Sequence, residues 1–109
     1  MPDLDLTVIG SGPGGYVAAI HAARRGAKVA VVEQDPRMWG GTCLNLGCIP
    51  TKTLVQSAEV FHAVQRAAEF GVNAGRPQAD WAAMQARKDR VVGGMRQGVQ
   101  GLLKSNGIE

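Results

Sequence analysis

Leu6-Thr7-Val8-Ile9-Gly10-Ser11-Gly12-Pro13-Gly14-Gly15 is a β-branched apolar run that breaks at once into a turn holding four glycines. Such a run reads as a strand. The residues that follow, Tyr16 to Arg25, carry Val17, Ala18, Ala19, Ile20, Ala22 and Ala23, and small apolar side chains at this density favour a closely packed helix. Arg24 and Arg25 suit the negative end of that helix, and Gly26 is its C-cap. Lys28 to Val32 is a second β-branched run, closed by Glu33. Strand, glycine turn, helix, strand and acid together make a βαβ unit.

Gly10, Gly12 and Gly15 stand in that unit as G-x-G-x-x-G, with Ser11, Pro13 and Gly14 filling the turn between them. The first glycine makes a tight turn, the second lets backbone approach a pyrophosphate, and the third lets helix approach strand. Free N–H groups at the helix N-terminus then hold phosphate oxygens. Glu33 is placed to accept hydrogen bonds from ribose hydroxyls, and a carboxylate there disfavours a 2′-phosphate. The expected ligand is FAD or NAD rather than NADP.

Outward from this unit, both cysteines lie in Gly40-Gly41-Thr42-Cys43-Leu44-Asn45-Leu46-Gly47-Cys48-Ile49-Pro50-Thr51-Lys52. Met1-Pro2-Asp3-Leu4-Asp5-Leu6 has two acids where a signal peptide has cations, and no apolar run nears membrane-spanning length. The reading is therefore a cytoplasmic protein without a membrane segment, in which paired cysteines are catalytic or metal-binding more often than structural. On an ideal helix, Cα atoms at this spacing would be about 8 to 9 Å apart, against roughly 4.4 to 6.8 Å for a disulfide. A bridge thus requires irregular backbone, which Gly47 and Pro50 are suited to supply. A helix starting near the pair, with Lys52 one turn beyond Cys48, would favour thiolate there. A cycling dithiol competes with a metal pair, for which His21 and His62 are remote partners, and with two buried free thiols.

Beyond Lys52 the pattern predicts a helix as far as Phe70, from Leu54, Ala58, Phe61, Val64 and Ala68, with Gly71 as its stop. Val72 to Ala79 reads as a loop, and Asp80 as the N-cap of a last helix with an apolar stripe of Trp81, Met84, Val91, Met95, Val99 and Leu102. Gly93, Gly94, Gly98 and Gly101 weaken that helix, so close packing on a neighbour or ligand is expected. Ile108-Glu109 looks like the threshold of another strand. A parallel sheet of two strands is too small to be covered on both faces, which implies part of a larger protein.

The whole chain has 109 residues, 45% of them apolar and 19% charged, with a net charge of +3, the proportions of one globular domain. Its densest basic group is Arg87, Lys88 and Arg90, interrupted by Asp89 and without close aromatic residues. That reads as a solvated helix face, not a nucleic-acid surface.

The stretch from Gly41 to Lys52, after Gly10-x-Gly12-x-x-Gly15 and Glu33, resembles the flavin-dependent pyridine nucleotide-disulfide oxidoreductases over nearly the whole chain. Leu44 and Ile49 look most like the dihydrolipoyl dehydrogenase branch, while Thr51 departs from the commoner serine. The resemblance implies an α/β fold, the N-terminal part of a Rossmann-like FAD-binding domain: a βαβ unit and two long helices, truncated before the sheet is complete. Residues 1–109 would be that partial domain, with the NAD-binding and interface domains absent and the chain alone inactive. It implies FAD at Gly10, Gly12, Gly15 and Glu33, with Gly40, Gly41 and Thr42 beside its pyrophosphate and flavin. Cys43 would be the interchange thiol that meets substrate, Cys48 the charge-transfer thiol, and Lys52 the lysine beside the flavin. The whole enzyme would be a homodimer that oxidises dihydrolipoyl groups on the acyltransferase of a 2-oxoacid dehydrogenase complex, with NAD as co-substrate. Relatives acting on glutathione or mercuric ion, and a non-catalytic dinucleotide-binding module, are the alternatives.

Overall fold

The computed structural model describes residues 3–109; Met1 and Pro2, part of the N-terminal reading above, lie outside it. Strand β1 (Leu6–Ile9) leads into helix α1 (Pro13–Ala23) and strand β2 (Val29–Val32). Helix α2 (Gly41–Leu46), helix α3 (Cys48–Gln65), a 3-10 turn (Ala67–Phe70) and helix α4 (Trp81–Ser105) follow. The strands pair in parallel, Leu6 opposite Val29 and Ile9 opposite Val32.

The expected βαβ unit is therefore present, with α1 starting three residues before Tyr16. Proline is tolerated at a first helical position because the N–H it lacks would have no partner there. The helix closes at Gly26, whose N–H donates to the Ala23 carbonyl while the Ala27 N–H donates to that of Ala22. At the far end of the chain, Glu109 pairs with β2 through its backbone. Its carbonyl accepts from the Val31 N–H at 2.7 Å, and its N–H donates to the Val29 carbonyl at 3.2 Å. The predicted threshold of a third strand thus lies along β2.

The core is small: Ala19 of α1, Val29 and Val31 of β2, Leu44 of α2, and Val92, Val99 and Leu103 of α4. Trp39, Tyr16, Ile20 and Ile49 close around it. Ile9, 88% exposed, marks the uncovered part of the sheet.

Three expectations about the helices need correction. Helix α3 begins at Cys48, beside the cysteine pair as expected, but ends at Gln65, with the 3-10 turn completing the run to Phe70. Its first turn contains Pro50, where proline again forfeits no helical hydrogen bond. The buried face of α4 is Val92, Val99 and Leu103; of the stripe read from the sequence only Val99 is buried, while Trp81, Met95 and Leu102 are exposed. The four glycines of α4 face open space, since a Cβ at any of them would meet nothing within 4 Å. What holds α4 is its apolar face and its N-cap, where the Asp80 carboxylate accepts from the Ala83 N–H at 2.9 Å.

Helix α4 runs back along α3. Arg87 donates to the Thr53 carbonyl at 3.1 Å and to the Gln56 side chain at 2.6 Å. Arg87 therefore ties two helices together and is not part of a solvated basic face; Lys88 is neutralised by Asp89 at 2.6 Å. The helix pair makes the protein long, 65 × 24 × 18 Å.

Candidate active site

The glycine turn is clamped at both ends. Gly10 donates its N–H to the Val32 carbonyl at 2.8 Å, which fixes the start of the turn to the end of β2. Gly15 has no room for a side chain: a Cβ there would lie 2.0 Å from the Gly10 carbonyl oxygen. Between them, Ser11 is wholly buried. Its N–H and hydroxyl both donate to the Glu33 carboxylate, at 3.1 and 2.5 Å, and Asp35 adds an N–H at 3.2 Å. These bonds, the Ser11 hydroxyl foremost, hold the Glu33 carboxyl below its ordinary pKa of 4.5.

The turn before α2 rests on the first glycine turn. Gly41 takes a φ of +86°, and a Cβ on it would fall 2.7 Å from the Gly12 Cα, so glycine is required on both conformational and spatial grounds. Gly40 is buried and donates its N–H to the Ser11 carbonyl at 3.1 Å. Thr42 and Cys43 follow within α2 and are exposed.

Gly47 resolves the geometric problem of the cysteines. Its backbone, φ −123° and ψ −108°, interrupts the helix between α2 and α3. The Cα atoms of Cys43 and Cys48 stand 4.8 Å apart and the residues are joined by a disulfide. Both cysteines are exposed residues and are bonded to each other, which sets aside the alternative of two buried free thiols. Lys52 is exposed on α3, one turn past Cys48.

A cleft of about 550 Å³ connects these parts. Its lining includes Gly10, Ser11, Gly12 and Pro13, then Glu33, Asp35 and Met38, then Gly41, Thr42 and Cys43. Of the residues expected at the site, Gly15 and Gly40 support its walls from behind, whereas Gly14, Cys48 and Lys52 are outside the lining. His21 and His62 are exposed on α1 and α3, away from the cleft. A second cleft, about 380 Å³ between α3 and α4, contains none of the expected site residues. The main cleft joins a backbone cradle and a carboxylate at one end to a reducible sulfur at the other, an arrangement suited to holding a polar, extended ligand beside a two-electron centre.

Asn45 and Arg96 were not legible as site residues. Asn45, 8% exposed, donates from its amide nitrogen to the carbonyls of Trp39 at 3.0 Å and Gly41 at 2.8 Å. Its amide oxygen accepts from Arg96 Nε at 2.8 Å. The only local signal was a polar residue between Leu44 and Leu46.

The parallel βαβ unit with its glycine turn and the adjacent disulfide define the class of fold and site. The family described as pyridine nucleotide-disulphide oxidoreductase matches residues 4–109, and the chain belongs to it. It is 50% identical over 108 residues to a dihydrolipoyl dehydrogenase of Acholeplasma laidlawii, covering 98% of this chain and 32% of that protein. The dihydrolipoyl dehydrogenase of Bacillus subtilis (strain 168) is 47% identical, with 97% of this chain and 23% of the relative covered. Among solved structures, the Cu(II) complex of the HOCl-induced flavoprotein disulfide reductase RclA from Escherichia coli matches with a TM-score of 0.74 and 34% identity, over 94% of this chain and 20% of that one. The chain thus spans about a third or less of the length of these proteins. Among the described residues no helix is long and apolar enough to cross a membrane.

Proposed function

We propose that this chain is the FAD-binding and redox-disulfide segment of a dihydrolipoyl dehydrogenase, residues 1–109 forming part of its FAD-binding domain. The observation that carries the reading is the disulfide whose Cys43 lines the same cleft as Gly10 to Pro13 and Glu33. The lining suits a dinucleotide: the backbone of Gly10, Gly12 and Gly41 faces the cleft with no side chain, and the buried Ser11 holds the Glu33 carboxylate at its edge, where a ribose would lie. Gly10, Ser11, Gly12, Pro13, Gly14 and Gly15 would hold the pyrophosphate, with Gly40, Gly41, Thr42 and Lys52 toward the flavin.

Exposure of Cys43 suits it to attack by a dihydrolipoyl thiolate. The new bond forms to the Cys43 sulfur, the Cys43–Cys48 bond breaks, and its electron pair leaves on Cys48. The second substrate thiol then displaces Cys43 and closes the lipoyl disulfide. The start of α3 and the Lys52 cation stabilise thiolate at Cys48. FAD held along the glycine cradle would supply a two-electron acceptor between the cysteine pair and NAD. NAD-binding and interface domains would complete the enzyme as a homodimer, serving the lipoyl-bearing acyltransferase of a 2-oxoacid dehydrogenase complex. A reducing compartment such as the cytoplasm suits this chemistry.

Assay of the full-length protein decides the substrate. Turnover with dihydrolipoamide and NAD is expected; turnover only with glutathione disulfide and NADPH would replace the proposal.

A further inference from the structure

We infer that Arg96 is a positioning residue for the Cys43–Cys48 pair and acts through Asn45, an inference that rests on the redox reading above. Arg96 lies 51 residues from Asn45 in sequence, yet its Nε donates to the Asn45 amide oxygen at 2.8 Å. A donor on that oxygen leaves the amide one orientation, with its two N–H groups toward the Trp39 and Gly41 carbonyls. Those carbonyls flank Gly40, and Gly41 rests on Gly12 in the cleft wall. Asn45 therefore sits between the two cysteines in sequence and ties the far end of α2 to the Trp39–Gly41 turn, which itself rests on the glycine cradle. Arg96 in turn ties Asn45 to α4, whose Val92, Val99 and Leu103 are anchored in the core.

The consequence concerns the open form of the pair. When the disulfide is reduced, the clamp keeps α2 from swinging about Gly47, so the two thiols stay within closing distance. Loss of the clamp lowers their effective concentration and favours the dithiol. A lysine at 96 keeps a charge and a donor but lacks the planar fork of arginine.

The test equilibrates the full-length protein with mixtures of reduced and oxidised dithiothreitol, quenches by alkylation, and reads the fraction of Cys43–Cys48 disulfide by peptide mass. In that exchange dithiothreitol gives up two electrons and two protons and closes its own ring. Failure of the wild-type pair to reduce and reoxidise in one two-electron transition would count against the redox reading itself. With that reading intact, R96M is expected to shift the equilibrium toward dithiol by about threefold to tenfold. N45A should shift it at least as far, the double variant R96M/N45A no further than N45A, and R96K less than R96M. Should R96M fail to accumulate, R96K compared with R96K/N45A makes the same test. A shift in R96M below about 1.5-fold, or single effects that multiply in the double variant, would overturn the inference.

Discussion

Gly41 lies against Gly12 so closely that a Cβ on Gly41 would stand 2.7 Å from the Gly12 Cα. The turn that begins the cysteine segment is thereby seated on the turn of the βαβ unit, and the two halves of the cleft share one wall. Alanine at 41 would meet backbone that has no way to yield, in a left-handed conformation that itself costs about 1 to 3 kcal/mol. Gly41→Ala is expected to lower the unfolding midpoint of the full-length protein and to release bound flavin. An unchanged melting curve with flavin retained would show that the two turns are not seated in this way.

Glu33 links stability to pH. Its carboxyl is held below the ordinary 4.5 by hydrogen bonds, first that of the Ser11 hydroxyl, so the folded state binds this proton less readily than the unfolded chain. The stabilisation is fully present above about pH 4.5 and is lost as the pH falls through the lower folded value. Urea unfolding at a series of pH values should show a decline below 4.5 that is shallower in Ser11→Ala. Equal slopes in the variant and the wild type would remove Ser11 as the cause.

Asp80 caps α4, and Asp80→Ala should cost about 1 kcal/mol, within a range of roughly 0.5 to 2. The comparison is Leu103→Ala, which empties a core position and should cost about 2 to 5 kcal/mol. Denaturant midpoints give both values. A larger loss from the cap than from the core would mean that the apolar face of α4 contributes little.

The fold was legible where a pattern is local. Leu6 to Ile9 and the run before Glu33 were readable as strands because β-branched residues, glycine and acid occur within one short unit, and Asp80 announces its helix by the same proximity. The start of α1 at Pro13, three residues before the run read from Tyr16, was not legible because proline and two glycines carry no apolar periodicity, although proline in a first turn forfeits no helical bond. On α4 the stripe through Trp81, Met95 and Leu102 was misleading, since those residues are apolar yet exposed and periodicity alone does not say which apolar side is covered. The site divides in the same way. Gly10, Gly12, Glu33 and Cys43 stand in recognisable local spacings, whereas Asn45 and Arg96 meet only through the packing of α4 against α2, which no local spacing encodes.

Serine in place of Cys43 or Cys48 separates the two ends of the cleft. Either variant should abolish turnover with dihydrolipoamide, because no disulfide remains to accept the electrons, while the glycine cradle and Glu33 are untouched. Flavin content after purification checks the second half of the expectation. Loss of flavin in both variants would mean that the pair is needed to form the cleft and not only to use it.

In the proposed reaction Cys43 and Cys48 pass electrons between a dithiol substrate and a flavin held along the cleft from Glu33 to Thr42. Anaerobic titration of the full-length protein with dihydrolipoamide, followed in the visible spectrum, tests it most directly. Oxidised-flavin absorbance that gains a long-wavelength charge-transfer band after two electrons per subunit is expected, with no such band in Cys48→Ser. Bleaching of the flavin with no long-wavelength band in the wild type, or protein that carries no flavin at all, would contradict it.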